Sequence, residues 1–186
     1  MAFRFLRQPE ILFFLLLVAG IIALSLITIF NGIVSLRNQV DRAWSNIDVI
    51  LKQRFDEIPA LIRVLESSTH FEQAMISRIL EVRTRYGSAS NPEQKIRAHR
   101  DASVALKNVF AIGEAFPDLR SSADFLHLQK RLSELDTQIA GRREVYNEAV
   151  SNWNTKITTF PGILFRNRMS LEEKTLFPIV HPGGRS

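Results

Sequence analysis

The chain has 186 residues, 46% apolar and 23% charged, with no cysteine. The missing thiols exclude disulfide frameworks, thiolate metal sites and cysteine nucleophiles, and the apolar fraction is too high for a disordered chain. The formal charge of +5 divides into +1 over residues 1–36 and +4 over the rest, with the signs interspersed and no basic stripe carrying interleaved aromatics, so no nucleic acid is expected as a partner.

Residues 1–10 form a short N-terminal segment with Arg4 and Arg7, followed at 11–30 by ILFFLLLVAGIIALSLITIF, twenty residues without a charge. As a helix this run is about 30 Å long, the thickness of a bilayer's hydrocarbon. It exceeds the h-region of a signal peptide, and no small-x-small cleavage site follows, so an uncleaved single-pass anchor is expected. Arg4 and Arg7 on one side balance Arg37 and Arg42 on the other, which leaves the side of the membrane open.

Residues 31–160 read as a helical bundle. Val34, Leu36, Val40, Ala43, Trp44, Ile47, Ile50, Leu51 and Ile58 recur at spacings of three and four, and Pro59 is expected to kink this helix rather than end it. A second helix covers about 70–85 on Phe71, Met75, Ile79 and Val82. A third opens with Asn91 as cap and Pro92 in the first turn, then follows Ile96, Val104, Leu106, Val109, Phe110 and Ile112. The fourth, capped by Ser121 or Ser122, runs from Phe125 through Leu128, Leu132, Leu135, Ile139, Tyr146, Ala149 and Trp153 to Phe160, the seam of a long antiparallel bundle or coiled coil. Pro161-Gly162 ends it, and no strand pattern appears. The fold class is therefore all-α, a transmembrane helix followed by a four-helix bundle. The tail, 161–186, is rich in apolar residues, with Ile163, Leu164, Phe165, Leu171, Leu176, Phe177 and Ile179 beside Arg166 and Arg168, and is expected to dock on protein, with the bilayer surface as the alternative.

No reactive constellation emerges. His70, His99, His127 and His181 are not paired at helical spacing, and neither HExxH, Glu-x-x-His, GxxxxGK[ST] nor GxGxxG occurs. No catalytic, metal or cofactor residue is expected, and the histidines read as surface or satisfied interior groups. Asp48 borders the apolar stripe of the first helix and Arg142 or Arg143 lies near the seam of the last. Antiparallel packing would let Asp48 pair with one of these arginines and fix the register.

The order of an N-terminal span, "LRNQVDRAWSNIDVILKQRFDEIPALI", "EAFPDL", "FLHLQKRL", "IAGRREVYNEAV" and "FPGILF" resembles the LemA family of bacterial membrane-anchored proteins. The likeness covers residues 34–165. It rests on Arg37, Asn38, Trp44, Ile47, Asp48, Leu51, Arg54 and Pro59, on Pro117 to Leu119, and on Arg143, Tyr146, Asn147, Asn154, Phe160 and Pro161. Trp153 stands where the family more often has tyrosine, and 66–110 matches weakly. The resemblance implies a long helical bundle behind an anchor in the bacterial inner membrane, with no established catalytic activity. Some relatives are associated with membrane remodelling, including magnetosome membranes, and others sit beside membrane metalloprotease genes. It also favours Arg143 as the partner of Asp48. The expectation is a non-enzymatic scaffold on a lipid bilayer that forms a homo-oligomer. The alternative is an adaptor binding another envelope protein, such as a membrane protease or a signalling protein.

Overall fold

A computed structural model describes residues 9–68 and 70–178, and none of these residues is in a β-strand. Among these described residues six helices follow in chain order: α1 Pro9–Glu66, α2 Gln73–Ser88, α3 Pro92–Ala115, α4 Pro117–Arg120, α5 Ala123–Thr158 and α6 Ile163–Arg166. Arg4, Arg7, Ile179 and His181 lie outside the described residues.

The expected apolar run and first helix are one 58-residue helix, which passes through Gly32 and Pro59 without ending. Proline removes one donor from the ladder, but Ile58 and Leu61 on either side are buried, and their packing offsets one missing bond. In α3 the Asn91 side chain accepts from the Gln94 amide at 2.9 Å, while the Gln94 side chain accepts from the Ser90 amide at 2.9 Å. That exchange satisfies one orphan amide of the first turn and the amide just before the cap. Ser122 is the residue that caps α5, accepting from the Phe125 amide at 3.4 Å.

The chain divides into two compact units. The first takes residues through Val40 together with Ala149–Lys174, and the second takes Asp41–Glu148 and the chain from Thr175. In the first, Ile33 and Val40 of α1 are buried, as are Val150, Trp153 and Ile157 of α5 and Leu171. From Leu12 to Phe30, by contrast, the large apolar side chains of α1 stand mostly open, Phe13 at 68% exposure and Leu24 at 67%. This stretch is long and apolar enough to cross a membrane.

In the second unit, α1, α2, α3, α4 and α5 contribute to one core that includes Phe55, Leu61, Ile79, Leu106, Leu119 and Leu132. Antiparallel pairing of α1 with α5 is explicit in its contacts. Trp44 meets Tyr146 edge-on with ring centroids 5.6 Å apart. Arg142 donates to the Asn46 carbonyl at 3.1 Å, and Arg131 reaches Glu57 at 3.3 Å. Partner numbers on α5 fall as those on α1 rise.

Some stripe residues depart from the periodic reading. Val104 is 55% exposed, its place taken by the buried Ala102 and Leu106, and Ile33 rather than Val34 faces inward. Phe160 is not on the seam: α5 stops at Thr158, and Phe160, joined to Pro161 by a cis peptide bond, is 79% exposed.

Candidate functional site

Arg54 is the polar centre of the second unit. It occupies a step of the apolar stripe Ile47, Leu51, Ile58, Leu61 and is only 1% exposed. A buried guanidinium is costly unless its donors are engaged. Here both Nη atoms hydrogen-bond, whereas Nε makes a charge contact that lacks hydrogen-bond geometry. Nε lies 2.8 Å from Asp136 Oδ1 in a charge contact, and Nη2 donates to Asp136 Oδ2 at 3.1 Å. Nη2 also reaches Ser103 Oγ at 3.1 Å, and Nη1 reaches His99 Nδ1 at 3.1 Å. Four residues from α1, α3 and α5 are thereby tied together.

The protonation states follow from this geometry. Arginine only donates, so His99 Nδ1 accepts and the ring carries its proton on Nε2. Burial, followed by the charges of Arg54 and Arg143, holds His99 well below 6.5, so it is neutral. Burial also lowers Arg54 against the pull of Asp136, yet a guanidinium stays cationic at neutral pH. Asp136 is raised by burial and pulled back by Arg54. With its side chain 44% exposed, it is the solvent-facing member of the pair.

Ser, His and Asp side chains meet here, but not as an acyl-transfer triad. That chemistry needs a histidine accepting from the serine and held by the aspartate. Ser103 instead donates to the His99 carbonyl at 2.9 Å, and Asp136 binds Arg54 rather than the imidazole. The arginine occupies the position a base would need. What the arrangement does is fix the lateral register of three helices.

Asp48 does not pair with Arg143. Its carboxylate takes Lys95 Nζ at 2.7 and 2.8 Å and the Tyr86 hydroxyl at 3.4 Å. Tyr86 in turn stacks on Phe55 at 3.9 Å, and burial, then Asp48, pushes its hydroxyl well above the ordinary value. The reason lies in geometry: Asp48 faces α2 and α3, whereas Arg142 folds onto the α1 backbone at Asn46. Arg143 is half-buried, and its charge acts on His99.

The docked C-terminal segment uses a second device, a repeated aromatic–asparagine pair on α5. In the second unit Tyr146 donates to the Thr175 carbonyl at 3.1 Å. Asn147 donates to the Phe177 carbonyl at 2.9 Å and accepts from its amide at 2.7 Å. In the first unit Trp153 donates to the Glu172 carbonyl at 2.9 Å, and Asn154 grips both the carbonyl (2.9 Å) and the amide (2.8 Å) of Lys174. Each carboxamide treats one residue as a neighbouring strand would, exchanging both main-chain bonds. Phe177 is 1% exposed and its ring meets His99 edge-on at 5.4 Å, so this segment docks on protein. Burial, then Asp41, raises the Tyr146 hydroxyl to about 12.

The remaining motif residues are dispersed. Ile47 and Leu51 are fully buried, Trp44, Pro59 and Pro161 are half-buried, and Arg37 and Asn38 are exposed on α1. Among the described residues no cluster of His, Asp and Glu gathers as a metal site. An open groove of about 610 Å³ does border the Arg54 cluster, lined by Asp136, Ser103, Lys107, Glu114 and Gln129. Sequence reasoning passed over Arg54, His99 and Asp136 as a group, although Arg54 and His99 both stand at apolar steps of their helices.

The LemA family model matches residues 43–184. The chain is 24% identical over 158 residues to the magnetosome proteins MamQ 1 and MamQ 2 of Paramagnetospirillum magneticum, an overlap covering 71% of this chain. It spans 58% of the length of those relatives.

Proposed function

This chain belongs to the LemA family, and we propose that it is a single-pass, membrane-anchored helical scaffold that assembles with its own copies to organise a bacterial inner membrane. The observation that carries the reading is the contrast between two surfaces. Large apolar side chains stand open along α1 from Leu12 to Phe30 with no cover from the described chain, which only a bilayer or another apolar surface relieves. The polar cluster around Arg54 spends its Nη bonds and its counter-charge on neighbouring helices. A chain with an open apolar helix and an internally committed polar centre suits attachment and architecture better than turnover. The relatives' designation as magnetosome proteins agrees with a role at a membrane.

The test uses the full chain in its native membrane. The protein should stay in the membrane pellet after alkaline extraction and crosslink to copies of itself. Release into the supernatant would refute the anchor, and a strictly monomeric crosslinking pattern would refute the assembly. A second reading, an adaptor for another envelope protein, draws on the open groove beside Asp136, which carries both charge signs. Crosslinking from Lys107 to one dominant foreign protein would favour the adaptor.

A further inference from the structure

Residues 159–168, in the first unit, hold features that its core does not use. Phe160 is 79% exposed, Leu164 64% and Ile163 46%, so an apolar ridge projects from the turn after α5. Around it, residues 155–170 contain Lys156, Arg166 and Arg168 and no acidic residue. The turn is also pressed tightly onto the helix end. A Cβ at Gly162 would lie 1.8 Å from the Lys156 carbonyl oxygen, so only glycine permits that approach.

The same lysine locates the ridge along α1. The Lys156 stem lies 4.0 Å from where a Cβ on Gly32 would stand. Gly32 is two residues beyond Phe30, where the apolar run 11–30 gives way to the polar Asn31, and five before the next charge, Arg37. Two residues are about 3 Å along a helix, the depth at which hydrocarbon gives way to headgroups. At such a depth apolar side chains bury among acyl carbons while Lys and Arg stems reach the phosphates.

We propose that residues 159–168 are a second membrane contact, with Phe160, Ile163 and Leu164 in the outermost acyl layer and Lys156, Arg166 and Arg168 on the phosphates of anionic lipids. The proposal rests on reading 11–30 as a membrane span. Charge decides between lipid and a second copy of the chain as occupant. A two-fold contact would set Lys156 and Arg168 against their own copies, with Arg166 partly offset by Glu173, whereas an anionic headgroup layer complements the net positive face. Arg166 also meets Glu173 at 3.1 Å, which braces the ridge from the following segment.

The absence of native cysteine makes the test direct. An NBD fluorophore is placed on Phe160→Cys, Leu164→Cys or Leu24→Cys in the full chain. Each is reconstituted at one copy per nanodisc, in phosphatidylglycerol or phosphatidylcholine, with a nitroxide quencher carried on the lipid acyl chains. The labels at 160 and 164 should be quenched severalfold more in phosphatidylglycerol than in phosphatidylcholine, and the label at 24 strongly in both. Adding R166Q and R168Q should lower the phosphatidylglycerol value to the phosphatidylcholine one. Quenching at 24 without quenching at 160 and 164 overturns this contact and leaves the span intact. No quenching at 24 removes the span and this proposal with it. Equal quenching at 160 and 164 in the two lipids overturns the assignment to anionic headgroups.

Discussion

Replacing Asp136 by asparagine tests whether the Arg54 cluster is a coupled unit. The substitution keeps shape and removes the counter-charge of a guanidinium that is 1% exposed. Removing one partner of a buried pair costs about 3–5 kcal/mol, because the other charge stays in the interior uncompensated. Asp136 is 44% exposed, so water reaches that side of the pair, and the expected cost falls to about 2–3 kcal/mol. Arg54→Met alone should cost a similar amount, through the lost bonds to His99 and Ser103. The double variant no longer buries an unpaired cation, so its cost should fall short of the sum of the singles by about 1–2 kcal/mol. Urea unfolding of the full-length protein in mild detergent, followed by far-UV circular dichroism, measures all three. Additive costs, or an Asp136→Asn change below about 0.5 kcal/mol, would refute the claim that these charges hold the helices in register.

Three further outcomes are expected. His99 has a folded-state value held well below 6.5 by burial and Arg54, so the unfolded chain binds a proton there before the folded one does. Stability should be full above about pH 6.5 and fall as the pH drops below it, and His99→Asn should flatten that part of a denaturation profile. Asn147→Ala removes two main-chain bonds to Phe177, a loss of about 1–3 kcal/mol. Amide exchange at Phe177 should then accelerate while the α3 amides stay protected, and unchanged exchange would show that the clamp is idle. Gly113→Ala would place a Cβ 2.1 Å from the Phe125 ring, so a loss of about 1–3 kcal/mol is expected in the same urea assay.

The helices were legible in the sequence because burial on one face imposes a period near 3.6, and Ile47, Leu51, Ile58, Leu61 and Leu65 obey it. The family was legible in the same stretch. The polar centre was half legible: between Leu51 and Ile58 the inward steps fall at 54 and 55, where Phe55 fills one and Arg54 stands at the other. A charge at an apolar step is a signal of a buried, partnered group, and His99 gives the same signal on α3. Asp136 gave none, since it sits on the shoulder of its stripe and its partner depends on how far one helix slides past another. The Asp48 expectation failed for that reason too, because apolar spacing on α1 and α5 carries no information on Lys95 of α3. Phe160 fell outside the period because α5 stops at Thr158, a boundary that apolar spacing does not encode.

The asparagine clamps recognise main chain, not side chains. Nothing in the grip of Asn154 or Asn147 asks what amino acid stands at 174 or 177, only that it offers an amide and a carbonyl in extended form. Pro178 supplies that form at Phe177, since the residue before a proline is biased toward extended backbone. The clasp itself is blind to side chains, although the buried Phe177 ring is held separately by its contact with His99. It is intolerant of one change: a proline at either gripped position, which deletes the amide and opens the clasp.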